Sequence, residues 1–235
     1  MNRPIRRAVL VPLLLAAGLL FDVAWDLAAL DLPLARAFAG VDGFPLREAW
    51  PLSLVLHEGG RYGSWALALA LCIGVWWPWG ALGRLELARR FQLALTPLAL
   101  VMAPALLKAF SQTSCPWDLH EFGGAARLVS HWVFANGGDG GSGHCFPAGH
   151  AAAGFAFIGG YFAFRDEAPS IARRWLAGAL LAGFTLGIGQ QLRGAHFMSH
   201  TLWTAWLCGA IAWALDLAVD SLRERVPWTR ERVAG

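Results

Sequence analysis

Long apolar runs decide what this chain is able to fold into. Six segments of roughly twenty mainly apolar residues recur along it, at about 8–28, 62–82, 91–110, 148–164, 175–192 and 199–219. Inside hydrocarbon such a run must satisfy its own backbone hydrogen bonds, which makes it a helix. The expected fold class is therefore all-α: an integral membrane protein with six transmembrane helices in a bundle, one domain over residues 1–235. Composition agrees. Charged residues are 15% of the chain, against about 25% in soluble globules. Thirteen Trp suit the membrane–water interface. Asp22 and Asp26 weaken the first run, and Pro97 and Pro104 in the third are tolerable where neighbouring helices bind the freed backbone groups. The A-x-A-like site Ala37-Phe38-Ala39 lies well past the first run, so that run reads as an uncleaved span rather than a signal peptide.

Arginine sets the orientation. The N-terminus, 83–90, 165–174 and the C-terminal tail hold thirteen Arg, among them Arg84, Arg89, Arg90, Arg165 and Arg223. The other side and its span ends hold six cations: Arg36, Arg47, Arg61, Lys108, Arg127 and Arg193. The positive-inside rule puts both termini in the cytoplasm and the loops 29–61, 111–147 and 193–198 outside. In a bacterial inner membrane that side is the periplasm. All seven His fall on it or at span ends touching it. No basic run with interleaved aromatics is present, so nucleic acid is not an expected partner, and nothing marks an obligatory protein partner.

Three segments of the outward side carry chemistry. The first is Lys108 at the end of the third run, followed by Cys115-Pro116-Trp117-Asp118. The second, Pro147-Ala148-Gly149-His150, opens the fourth run. Pro suits a first helical turn, and free N–H groups at such a start favour phosphate. The third runs from Gln190 through Arg193 to His196 and His200. Arg and His beside a membrane core are costly unless partnered or functional. His196 and His200 are spaced for one helical face. A zinc pair has that spacing too, but the Glu of H-E-x-x-H is missing, so neither a metal nor another cofactor is expected.

In order and spacing these segments resemble the type 2 phosphatidic acid phosphatase superfamily. Its motifs are Lys, six residues, Arg-Pro; Pro-Ser-Gly-His; and Ser-Arg, five residues, His, three residues, Asp. Here Lys108 is followed by six residues and Cys115-Pro116, then comes Pro147-Ala148-Gly149-His150, then Gln190, five residues, His196, three residues, His200. The resemblance spans roughly residues 60–217, with the motif-bearing core at about 91–217. Four positions depart: Cys115 and Gln190 stand for Arg, Ala148 for Ser and His200 for Asp. Arg193, one turn beyond Gln190, is placed to supply a guanidinium whose fork suits phosphate.

The resemblance implies a membrane lipid phosphatase working through phosphohistidine, with His196 as nucleophile and His150 as acid and then base. Lys108, Gly149 and Arg193 would hold the phosphate. Implied substrates are a polyprenyl pyrophosphate, a phosphatidyl phosphate or a lipid A phosphate; transfer to a second lipid uses the same residues. The ring nitrogen of His196 not used in attack needs a partner. His200, Asp118, Glu121 and Asp139 are the candidates that the sequence leaves open. Cys115 and Cys145 flank the outward loop and are expected to form a disulfide in an oxidising compartment, while Cys72 and Cys208 fall inside spans. Two other classes compete. Gly140-Gly141-Ser142-Gly143 matches the short G-x-S-G pattern of rhomboid proteases, and the four departures fit a non-catalytic binder of lipid phosphate.

Overall fold

The computed structural model describes residues 3–132 and 138–225, with side chains from Val9 onward. The side chains of Arg3, Arg6 and Arg7, and all of Arg230 and Arg232, lie outside the described residues. Among the described residues the chain is helical, with only isolated bridges in place of strands. Helix α1 is Arg3–Leu27 and a short α2 is Asp31–Phe38. A π-helical stretch, Pro51–Gly59, runs directly into α3, Gly60–Trp76. Then come α4, Leu87–Phe110, α7, Pro169–Leu192, and α8, Met198–Arg225, with the short α5, Gly149–Phe155, and α6, Gly159–Phe164, between α4 and α7.

Among the described residues five helical stretches are long and apolar enough to cross a membrane: α1 from Val9, Pro51–Arg84, α4, α7 and α8. The segment expected as a fourth crossing, 148–164, is not one long helix. It is a chain of three short pieces, with a 3-10 turn at Ala156–Ile158 between α5 and α6. Glycine explains both the interruption and the place. Glycine is a poor helix former, and here its missing side chain lets neighbours touch. A Cβ on Gly154 would lie 2.3 Å from the backbone nitrogen of Gly183 in α7, and one on Gly160 would lie 2.0 Å from the Trp175 indole. The segment is accordingly buried almost throughout, and Phe155 and Phe164 are among the largest fully buried side chains. Leu93 and Leu100 of α4 close the same core. Around it the outer helices turn Leu14, Leu20, Trp65, Leu69, Leu106 and Leu181 outward, a surface suited to acyl chains.

Opposite charges gather at one end of the bundle. Asp216 of α8 is fully buried and accepts bonds from Arg89 of α4 at 2.8 Å, from Gln92 at 3.1 Å and from Arg165. Asp220 takes Arg89 at 2.6 Å and Arg165 at 2.8 Å, and Arg223 pairs with Glu86. Arginines assigned to three segments on one side from the sequence thus meet at one end. Lys108 ends the same helix α4 that Arg89 begins, roughly 30 Å away at about 1.5 Å of rise per residue.

Candidate active site

The far end of the bundle is organised by a covalent staple. Cys115 and Cys145 are joined, with Cα atoms 5.2 Å apart and a sequence separation of 30. The strap between them folds back on the helix ends. His144 N–H donates to the Ser111 carbonyl at 2.9 Å and Cys145 N–H to that of Thr113 at 2.9 Å. The His144 ring meets the Lys108 carbonyl at 3.2 Å. The staple thereby brings the Lys108 segment beside the start of α5. Gly149 and His150 occupy the first positions of α5, and a Cβ on Gly149 would face open space. The preceding Ala148 N–H is tied to α8 through the Thr204 hydroxyl at 3.0 Å.

His196 lies in the short link between α7 and α8, outside the spans, and is 3% exposed. Its Nδ1 is 3.3 Å from Nδ1 of His200 and 3.5 Å from the Cys145 sulfur, which as a disulfide sulfur has no proton to give. Nε2 is the nitrogen that these contacts leave open. Burial pushes His196 well below the usual histidine range, and the positive charges of His200, Lys108 and His150 push the same way. The ring is therefore neutral at neutral pH, with a lone pair available for attack.

Burial pushes His150 down to about 3, and its neighbours His57, Lys108, Arg193 and Arg61 push the same way. The His57 ring stacks on that of His150 with centroids 3.9 Å apart. His57 Nδ1 is held 2.9 Å from Glu58, which also accepts from Arg61 at 2.5 Å. The sequence reading counted His57 and Arg61 as outward residues and gave them no place here. The signal was their spacing of four, which puts both on one helical face. Arg193 caps α7 rather than continuing it. Its Nε donates to the Arg47 carbonyl at 2.8 Å and its guanidinium reaches the Gln190 side chain at 3.3 Å.

The three loop carboxylates named from the sequence are engaged elsewhere. Asp118 accepts the Ser142 hydroxyl at 3.2 Å, Glu121 pairs with Arg36, and Asp139 binds the Ser114 N–H and hydroxyl at 2.5 and 2.8 Å. His200 is the residue in contact with His196. The bond to Asp118 is also the setting of Ser142, the serine of the protease-like pattern. A different acidic pair borders the site. Asp31 accepts the Ser199 N–H at 3.0 Å and the Ser199 hydroxyl, tying α2 to the start of α8. Asp26 accepts the indole N–H groups of Trp203 at 2.9 Å and Trp132 at 3.1 Å, and lies 3.2 Å from His131 Nε2. Sequence reading treated Asp26 as a defect in an apolar run, although an ionisable residue there is itself a functional signal.

Among the described residues two groups bring possible metal ligands within 4.8 Å of one another: Cys145, His196 and His200, and Asp26, Asp31 and His131. In the first the sulfur is already bonded to Cys115. In the second both oxygens of Asp31 already accept bonds. Neither presents three uncommitted donor atoms, so the residues fit a metal poorly.

No curated protein and no solved structure matches the chain. The family model of the PAP2 superfamily matches residues 90–223, which contain all three motif segments just described. With more than half of the chain covered, this protein belongs to the PAP2 superfamily, whose members are in general phosphatases acting on phosphorylated substrates.

Proposed function

We propose that the protein is a membrane lipid phosphatase that removes phosphate through a phosphohistidine on His196, at the outer face of the membrane. The reading of a lipid substrate rests on one observation. A groove of about 310 Å³ runs between α3 and α4, lined by Trp65, Pro97, Val101 and Met102, and ends on His150 and Arg61. Such a groove accepts an acyl or prenyl chain while its phosphate lies among the cations around His150. Hydrolysis then takes two steps. His196 Nε2 attacks phosphorus, the bond to the leaving oxygen breaks, and His150, which takes up a proton as the phosphate anion enters beside it, gives that proton to the leaving oxygen. Water next attacks the phosphohistidine, His150 takes its proton, and inorganic phosphate leaves with His196 restored. Lys108, Arg193 and Arg61 would hold the phosphoryl oxygens as charge moves in the transition state.

Phosphate release from a panel of lipid phosphates and diphosphates by the purified protein tests this. His196→Ala and His150→Ala are each expected to lose several orders of magnitude in turnover. An acid-labile, base-stable label from ³²P-substrate should appear in wild type and not in His196→Ala. EDTA should leave turnover intact. Wild-type turnover in the His196 variant would refute the assignment.

A further inference from the structure

The motif position occupied by His200 normally brings a carboxylate to the nucleophile. An imidazole there accepts a proton but carries no negative charge to match the imidazolium character that His196 gains during attack. We propose that Asp26, acting through His131 on His200, supplies that charge. The inference rests on the phosphohistidine reading above.

The geometry is continuous from one residue to the next. His196 and His200 meet through their Nδ1 atoms at 3.3 Å. If Nε2 of His196 is to attack, its Nδ1 carries the proton and His200 Nδ1 accepts it. The His131 ring stands at 86° to His200, centroids 5.7 Å apart. It is fixed there by stacking on Phe146 at 4.3 Å, while Phe146 itself packs edge-on against His200 at 5.2 Å. Asp26 then closes the row, 3.2 Å from His131 Nε2. His131 and His200 are 8% and 1% exposed, so water screens this row little.

Asp26 is itself held rigidly. The Trp203 and Trp132 indoles fix one of its oxygens from two sides, as supporting bonds fix the ligands of other catalytic centres. Asp31 adds a second negative charge acting on His131, but its oxygens are spent on Ser199 and Trp25. Lys108 is the opposing charge, acting on both His196 and His200, and His150 also faces His196. Arg36, Arg127 and Asp139 border the cavity beside His131 and His200. Arg36 is neutralised by Glu121, and the Asp139 carboxylate is engaged by hydrogen bonds from Ser114. The link from His131 to His200 is a ring contact rather than a hydrogen bond. The roles of Asp26 and His131 are therefore to position and polarise, not to move a proton along the row.

The test compares Asp26→Asn, Asp26→Glu, His131→Phe and the double variant Asp26→Asn/His131→Phe. Asn keeps an acceptor for the two indoles, and Phe keeps the stacking on Phe146. Asp26→Asn is expected to lower kcat roughly tenfold to a hundredfold with KM little changed. It should also move the acid limb of kcat/KM to lower pH, because His196 loses a charge that favours its protonation. Asp26→Glu should recover most of kcat, and the double variant should be no slower than the slower single. An unmoved acid limb, or losses that add in the double variant, would overturn the proposal. Imidazole ¹⁵N shifts in histidine-labelled protein give a readout that needs no turnover. Asp26→Asn should displace the His200 and His196 signals, and unchanged signals would overturn the proposal too. Should wild type release phosphate from no lipid, the phosphatase reading fails while the nitrogen shifts still decide whether Asp26 reaches His196.

Discussion

At the scale of single residues, the site turns on one histidine kept neutral by burial. His196 is displaced well below the ordinary histidine value because it is enclosed and faces other positive charges. A nucleophile works unprotonated, so lowering its pKa extends activity toward acid. The acid limb of kcat/KM is therefore expected below about pH 6.5, the ordinary histidine value. A pH–rate profile with its acid limb at or above that value would contradict a buried neutral nucleophile. The residues of the site differ in how visible they were. Lys108, His150 and His196 were legible because spacing inside a short motif survives without a structure. Arg61, His57, His131 and Asp26 were not, because they come from segments that no motif links to the site. Only folding brings π-helical residue 57 onto the ring of His150 and residue 26 onto His131.

At the scale of elements, the apolar pattern located the long helices well and left open the 3-10 interruption in the central one. Periodicity and length are sufficient where a helix faces lipid on one side, as α4 and α8 do. The 148–164 segment has protein on nearly every side, so apolarity alone could not say whether it would be straight or broken; its glycines decided that through contacts with Gly183 and Trp175. The disulfide closes a loop that is worth roughly 3–4 kcal/mol in the chain-entropy model, and it anchors the motif segments at the end that carries His150 and His196. The other end has no covalent tie and depends on charge. Asp216 has no exposed surface and neutralises two arginines joining α4, α8 and the turn after α6. Removing one partner of a buried pair costs about 3–5 kcal/mol. Asp216→Ala should therefore lower Tm in detergent far more than Glu58→Ala, which breaks a half-exposed pair. Equal melting temperatures for the two variants would show that the buried network is not what joins those helices.

At the scale of the whole molecule, a buried arginine–aspartate network holds one end while a disulfide, stacked rings and the cations around His150 shape the other, with an apolar stretch of roughly 30 Å between, the thickness of a hydrocarbon core. The helices that border this stretch present apolar side chains outward. The pieces from Gly149 to Phe164 do not, because α4, α7 and α8 enclose them. His150 rides on that enclosed segment, so its height is fixed by protein contacts and not by the surrounding lipid. Hydrophobic mismatch, which costs fractions of a kcal/mol per Å, would be absorbed by the outer helices. Reconstitution into bilayers of graded acyl length should therefore change kcat by less than about threefold, a few tenths of a kcal/mol, while KM responds as the groove between α3 and α4 meets thinner or thicker lipid. The broken helix is in this sense a gimbal, keeping the reacting histidine level in membranes of unequal depth.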